Sequence, residues 1–499
     1  MSTKIKVIII AAVVVFFGVI AVGGAAVYYF VTNTPKNTYL LSEQESAKSW
    51  KDYFNDRFEN EAKFQDKMKD ESYETSLKLG VSLPESLISE LNVPKSVIDS
   101  TNIVFNVGHD PKKEKSKLGI TPTIADNKIG KFQWSADNKN QYVETPLFDD
   151  IYKVKNNEII KGLEKISGEP FDNETKKDLT NESLNLNTIL SGSQVSQDKI
   201  DKISKKYSDL VIDQLDDDNF KSEKEKVKIF DDEKKLKKVT MNLSNKDTKK
   251  ITVAVLKEAK KDKDLKDIVK KQGDVKEYDK QLDDLLKDAQ KQETSKYPKI
   301  KSIIYVDGKE ILKRDLTITG DDNTKLKLVG TNVIDDGVKV DYKVTVPGEE
   351  GSLSIKGKST DGDQIHDKYD IEFKENEFSS TKVKFDNKSK VDGSTRKDNG
   401  KLTFTMPNSE PFNLNYKHNL DSDTKNNKQK QKLDIDFDLN GETIKVMLDG
   451  KTELKKDIKF KKDGAKDVNK LSDSDIEDIN KEVEDKFTKI TEDVLDDIQ

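Results

Sequence analysis

Asp-Gly and Asn-Gly pairs punctuate the C-terminal part of the chain and constrain its fold more than any other feature. They begin at eight positions, none of them before residue 298: 307, 336, 361, 392, 399, 440, 449 and 463. Such pairs tolerate positive φ, which tight hairpin turns require. Between them apolar and polar residues alternate, as at 338–346 and 433–439, which predicts strands with one buried face. Residues 299–462 are therefore predicted to form an antiparallel meander of about nine to eleven strands.

An apolar run near the N-terminus predicts where the chain is located. Residues 7–31 carry no charge, and at about 1.5 Å per residue a helix of this length crosses a hydrocarbon core of about 30 Å. Lys4 and Lys6 precede the run, which predicts a cytoplasmic N-terminus at 1–6, a single-pass membrane anchor at 7–31 and an extracellular remainder. The alternative is a cleaved signal peptide, for which Ala21-Val22-Gly23 offers small residues. Both interpretations export the rest of the chain.

The composition excludes several classes of function. The chain has 88 basic residues, 94 acidic residues and no Cys. Because these charges nearly balance, we expect no nucleic-acid partner. The lack of Cys excludes disulfides, thiol catalysis and thiolate zinc sites. The periodic apolar residues favour folded domains with charged outer faces over disorder.

The segment between the run and the meander combines helix and strand patterns. Residues 32–41 are interpreted as a linker and residues 42–297 as a mixed α+β extracellular domain. A capping box from Ser42 to Glu45 predicts the first helix, and alternation at 73–81 predicts the first strand. Further predicted elements are strands at 103–107, 118–124, 131–134, 141–143, 220–230 and 234–243, and helices at 157–166, 196–211, 251–268 and 278–289.

The chain closes on a predicted amphipathic helix within the last domain, residues 298–499. Apolar residues from Ile476 to Ile498 recur with spacings of three and four, and Ser472 offers a cap. We expect this stripe to pack into the concave face of the second sheet. The alternative is a coiled coil with a partner protein.

Residues with catalytic or metal-binding chemistry are scarce, so no catalytic, cofactor-binding or metal site is predicted. The three His residues, His109, His366 and His418, are far apart in sequence, and His109 is interpreted as a surface residue. Ser-x-x-Lys begins at 196, 379 and 394, without the accompanying motifs of penicillin-binding enzymes. The acidic turns at 361–363 and 421–423 lack the spacing of a calcium loop and are interpreted as hairpin turns.

The order of these elements, including the strand edge Gln141-Tyr-Val-Glu-Thr-Pro146, resembles exported bacterial proteins with LolA/LppX-like folds and single-pass extracellular proteins of Firmicutes. The resemblance implies an α+β fold: a transmembrane helix, then two units of strongly curved, half-barrel-like antiparallel sheet against amphipathic helices, with the C-terminal helix closing the second sheet. In that superfamily the concave face between sheet and helices can bind lipids or other envelope molecules. In other half-barrel proteins a helix simply fills the concave face, and the apolar stripe at 476–498 favours that arrangement.

Two functions are compatible with the sequence. The first is a membrane-tethered, non-catalytic extracellular protein, without a cofactor, that binds a cell-envelope component such as a lipid or wall polymer. The second is a scaffolding subunit that engages a membrane protein partner and has no small-molecule ligand. An apolar cavity lined by the sheet would favour the first, whereas a solid core with a bare apolar patch would favour the second.

Overall fold

The computed structural model describes residues 34–91, 93–172, 175, 179–191, 197–272, 275–346, 351–376, 379–439 and 441–498. The cytoplasmic segment predicted at 1–6 and the anchor predicted at 7–31 lie outside these residues. No helix within the described ranges is both long enough and apolar enough to cross a membrane. The predicted fold class is corrected on this point, because the described fold includes neither a transmembrane helix nor a signal anchor.

Strands contribute more residues than helices to the described fold, which confirms the prediction of a β-rich protein. The helices are α1 (Pro35–Arg57), α2 (Glu59–Asp70), α3 (Glu85–Leu91), α4 (Lys95–Ser100), α5 (Ile159–Ser167), α6 (Leu186–Ser191), α7 (Gln197–Ile212), α8 (Asn245–Lys261), α9 (Lys263–Gln272), α10 (Val275–Lys291) and α11 (Asp473–Ile498). The strands are β1 (Tyr73–Ser82), β2 (Asn102–Asp110), β3 (Lys115–Ile124), β4 (Asn127–Lys128), β5 (Phe132–Ala136), β6 (Asn140–Glu144), β7 (Tyr152–Lys155), β8 (Phe220–Ile229), β9 (Asp232–Leu243), β10 (Lys299–Asp307), β11 (Glu310–Thr319), β12 (Lys325–Asp335), β13 (Gly337–Thr345), β14 (Ser352–Thr360), β15 (Gln364–Asn376), β16 (Ser379–Asp392), β17 (Thr395–Thr405), β18 (Phe412–Asp423), β19 (Lys428–Leu439), β20 (Glu442–Leu454) and β21 (Lys466–Asp467).

The strands belong to one sheet of 21 strands, so the predicted division into two sheets is wrong. The reason is a long-range pairing. Strand β1 lies between β20 and β2, with Leu79 opposite both Leu448 and Ile103. Alternation identifies the buried face of a strand but not its distant partner, so this pairing leaves no mark in the local pattern.

The chain divides into two compact units. The first unit comprises the described residues of 1–58, 195–388 and 402–411. The second comprises those of 59–194, 389–401 and 412–499.

Helix α1 contributes to the hydrophobic core of the first unit. The Thr34 side chain accepts a hydrogen bond from the Asn37 amide, and Pro35 occupies the first turn. The helix therefore begins there and not at the predicted cap, Ser42. Tyr39 is fully buried in the cluster that α1 forms with strands β8 to β11.

Two ion pairs fix α1 against strands of the first unit. Arg314 on β11 donates to both carboxylate oxygens of Glu43, at 2.6 and 2.5 Å. Arg57 Nη2 lies 2.5 Å from Asp367 Oδ2 on β15, and Asp367 Oδ1 accepts from Ser359 at 2.6 Å. Because buried charges are costly unless paired and hydrogen-bonded, these contacts specify one position of the helix on the strands.

The second unit contains a sheet segment with a defined order. Strands β18, β19, β20, β1, β2, β3, β5, β6 and β7 are antiparallel neighbours, and β21 pairs with β7 in parallel. Helix α2 covers part of one face, where Phe64 is fully buried against Tyr73, Val107 and Leu454.

Helix α11 has the predicted position in the sequence and the predicted cap. The Ser472 hydroxyl accepts from the Asp475 amide at 3.1 Å, and the Asp475 carboxylate accepts from the Ser472 amide at 2.6 Å. Its apolar stripe does not close a second sheet. Ile476 and Ile479 instead line a cavity together with residues of β5, β6 and β7, which the sequence assigned to a different domain.

Candidate ligand cavity

The second unit contains an apolar cavity of about 450 Å³ that is partly open to solvent, since Val143, Leu163 and Ile166 line it and expose 41%, 39% and 53% of their surface. Strands β5–β7, helix α5 and helix α11 supply most of its wall. Small-molecule sites in proteins measure roughly 300–1,000 Å³ and are mostly apolar with a few polar groups. The volume and chemistry of the cavity are therefore those of a ligand site.

The sheet side of the cavity is one face of three neighbouring strands. Trp134 on β5 is opposite Val143 on β6, and Val143 is opposite Tyr152 on β7. Facing residues of an antiparallel pair project from the same side of the sheet. Phe148 makes an edge-on contact with Tyr152, with ring centroids 4.9 Å apart, and burial raises the pKa of Tyr152. The facing side chains of this wall are thus apolar or aromatic, and Lys153 is the charged residue of β7 at the cavity.

Helix α5 lies close to β7 because it has a glycine at the contact. A Cβ on Gly162 would stand 2.9 Å from Val154 Cγ2. That distance is shorter than ordinary van der Waals contact, so Gly162 permits the approach. Leu163 and Ile166 extend the apolar wall on the same helix.

Helix α11 supplies the opposite wall. Ile476, Ile479 and Val483 line the cavity at spacings of three and four, so that they share one helical face. The remaining surface of the helix is strongly acidic, with eleven acidic and three basic side chains over its length. These three apolar side chains therefore pack against the apolar wall of the cavity and not against solvent.

Three polar residues lie at the cavity wall, Gln141, Lys153 and Asn480, and the most buried of them, Gln141, is already satisfied by the protein. Gln141 Oε1 accepts from Trp134 Nε1 at 2.8 Å and from the Leu186 amide at 3.3 Å, and its Nε2 donates to Asn156 and Asn185 at 2.7 and 3.0 Å. Both donors and both acceptor positions of the amide are used. The cavity wall therefore favours an apolar ligand over a hydrogen-bonding one.

Ion pairs at the surface hold α11 over the cavity. Lys486 Nζ lies 2.5 Å from Asp149 Oδ1, and the Asp149 amide donates to Glu482 at 2.8 Å. At the other end of the cavity, Lys165 on α5 lies 2.6 Å from Asp473. The hydrogen bond from Lys486 lowers the pKa of Asp149, and the one from Lys165 lowers the pKa of Asp473. Both carboxylates are thus charged at neutral pH, and both pairs are open to screening by salt.

The His and Ser residues that the sequence analysis considered for catalysis or metal binding lie apart from one another in the structure. His109 is fully buried, which corrects its interpretation as a surface residue. Its Nδ1 lies 2.8 Å from Ser116 Oγ and its Nε2 lies 3.1 Å from Ser191 Oγ. His366 pairs with Asp386, at 2.8 Å. Neither lines the cavity.

The remaining candidates lie in strands and turns. Gly362 has a φ of 91°, which makes 361–363 a turn. Ser394 donates to Asp421 at 2.6 Å, and Ser379 begins β16. Ser196 lies outside the described residues. Among the described residues, no group of three or more His, Asp or Glu side chains is placed to hold a metal ion.

Sequence reasoning identified the pieces of the cavity but not the cavity. The strands that carry Trp134 and Val143 and the stripe that begins at Ile476 were all predicted. Their meeting depends on the pairing of β1 with β20 and on the short parallel pairing of β21 with β7, which joins Lys466 to Tyr152. The signal that the sequence offered was the stripe itself, because an amphipathic helix requires an apolar surface.

No protein-family model matches the chain, and no curated protein matches it. Among solved structures, the chain is similar to the CymD monoaromatic hydrocarbon channel at 7% identity and a TM-score of 0.17, over 78% of this chain and 90% of that one. A likeness of that size carries no argument about fold or function.

Proposed function

We propose that this chain is a non-catalytic protein that binds the hydrocarbon part of a lipid in the cavity under α11. One observation carries the proposal: three strands and two helices converge on about 450 Å³ of mostly apolar space, in which the most buried of three polar lining residues, Gln141, is internally satisfied. An apolar surface of this kind gains free energy when an apolar ligand covers it and excludes water, at about 25 cal/mol per Å². The extracellular location and the envelope origin of the lipid stay predictions from the sequence.

Energy transfer from tryptophan provides a direct test. The chain has two Trp residues, of which Trp134 lines the cavity and Trp50 lies on α1 in the first unit. Trp50→Phe therefore leaves Trp134 as the only donor. We expect cis-parinaric acid, a fluorescent fatty acid, to quench Trp134 in the full-length variant and to gain emission of its own.

Two variants of α11 make the test specific to the cavity. Ile479→Asp places a carboxylate in the apolar wall and is expected to weaken parinaric acid binding at least tenfold. Lys481→Asp changes an exposed position two residues away and is expected to leave binding unchanged. Absence of energy transfer, or equal effects of the two variants, would contradict the proposal.

One structural observation supports the alternative function, a scaffolding subunit. Beyond the cavity, α11 exposes Phe487 and Leu495, at 61% and 51% of their surface. An exposed apolar strip on an acidic helix suits a basic amphipathic partner. This function would be favoured by a protein that binds no parinaric acid but is cross-linked through position 487 to a second protein in its own host.

A further inference from the structure

The sheet face that lines the cavity continues as an apolar row across the second unit. Leu433, Leu448 and Leu79 are opposite one another on β19, β20 and β1. Phe105, Ile120 and Phe132 are opposite one another on β2, β3 and β5. Leu79 and Phe105 are diagonal neighbours, since Leu79 is opposite Ile103, and Phe132 is two residues before Trp134 in the cavity wall. We call these six residues the apolar row.

On the opposite face, charged residues cross β19, β20 and β1 beside the row. One residue before Leu433, Lys432 is opposite Asp449, and Asp449 is opposite Lys78. The contrast between charged and apolar faces therefore follows from strand alternation and does not reflect a generally apolar segment.

Five residues of the apolar row are half-buried and Ile120 is exposed, whereas two neighbours on the same face are fully covered. Tyr73 and Leu454 belong to this face and are buried under Phe64 of α2. None of the six row residues is fully buried, and Ile120 exposes 36% of its surface. Contiguous exposed apolar surface on a soluble domain marks a site of interaction.

The length of the row identifies the kind of occupant. Strands β19, β20, β1, β2, β3, β5, β6 and β7 are eight neighbours, and at about 4.8 Å per strand they span about 34 Å. One leaflet of hydrocarbon chains is about 15 Å thick, half of a bilayer core. The row and the cavity together therefore exceed the length of a single acyl chain by about twofold.

We propose that the apolar row is a lipid track that holds acyl chains end to end with the chain in the cavity, so that each protein binds at least two. The track rests on the proposed function, because the cavity sets the chemistry of the ligand. Its support is the continuity of one apolar face from β19 into the cavity wall and its exposure beside the part that α2 covers.

A stoichiometric titration of the full-length protein with cis-parinaric acid tests the track. All proteins in this titration carry Trp50→Phe, so that Trp134 is the only Trp donor, and the parent protein is expected to bind at least two molecules. Leu448→Asp, within the row, is expected to remove at least one of them while energy transfer from Trp134 persists. Met447→Asp is the matched control, because Met447 is the preceding residue, is 37% exposed and faces the other side, opposite Asp434.

The outcomes separate the track from the cavity. One bound molecule in the Trp50→Phe parent, with full energy transfer from Trp134, would overturn the track and leave the cavity function intact. No bound molecule would overturn the cavity function itself. Equal losses in the two variants would also overturn the track. If Leu448→Asp melts well below wild type, Leu448→Ser replaces it, with Met447→Ser as its control.

Discussion

Lys486 Nζ lies 2.5 Å from Asp149 Oδ1, although the two residues are 337 positions apart in the chain. The pair joins α11 to the loop before β7 and so holds one wall of the cavity in place. Both side chains are on the surface, and the pair can therefore open without disturbing the sheet.

We expect Lys486→Ala to loosen α11 selectively. Amide hydrogen exchange over residues 473–486 should accelerate in the variant, and 0.5 M salt should accelerate it in wild type, because salt screens exposed charges. Lys489→Ala, on the same helix, is the control and should exchange as wild type does. Unchanged exchange in Lys486→Ala would show that the pair does not hold the helix.

We expect the protein to be more stable with glycine at position 162 than with alanine, although alanine usually stabilises a helix. Alanine gains about 1 kcal/mol over glycine in a helix interior, but here its Cβ would meet Val154 Cγ2 at 2.9 Å. Overpacking of this kind costs about 1–3 kcal/mol. Gly162→Ala should therefore lower the free energy of unfolding measured in urea. The double variant Gly162→Ala/Val154→Ala should recover part of the loss, and a stabilised single variant would contradict the close contact.

Asp367→Asn is expected to destabilise the first unit strongly. Burial would raise the pKa of Asp367, but hydrogen bonds from Arg57, Ser359 and Asn387 hold it below its usual value. Asn carries no negative charge to balance the Arg57 guanidinium, and breaking a buried ion pair costs about 3–5 kcal/mol. Urea unfolding measures this cost.

A surface pair of the same unit provides the control for Asp367→Asn. Lys356 and Asp341 lie 3.6 Å apart with most of the lysine exposed, and Asp341→Asn should cost less than about 1 kcal/mol. Similar costs for the two substitutions would show that the Arg57–Asp367 pair is not buried as the structure has it.

His109 is expected to make stability depend on pH. Burial lowers the pKa of His109 below its ordinary value of 6.5, so the unfolded chain binds the proton more readily than the folded one. The contribution of neutral His109 to the free energy of unfolding is therefore fully present above about pH 6.5. It is lost as the pH falls toward the pKa of His109 in the folded protein. The melting temperature of wild type should fall as the pH is lowered from 7 to 5. The melting temperature of His109→Gln should fall less over the same range. His366→Gln, the control, should behave as wild type does.

The sequence by itself determined the local elements. Period-two alternation at 73–81 and across 299–462 identified strands, because each strand buries one face. Spacings of three and four identified α11, and Ser472 identified its first residue. The capping box at Ser42 failed to locate the start of α1, because Thr34 and Pro35 offer an earlier start that periodicity does not show.

Tertiary structure alone decided which elements meet. The pairing of β1 with β20 joins residues that are more than 350 positions apart in a single sheet, and no local pattern encodes the partner of a strand. The same pairing creates one apolar face from Leu433 to Trp134. The cavity that α11 covers exists because the chain returns to β7 through β21. Local hydrophobic patterning therefore specifies faces, whereas the juxtaposition of faces, and with it the candidate site, arises from contacts distant in sequence.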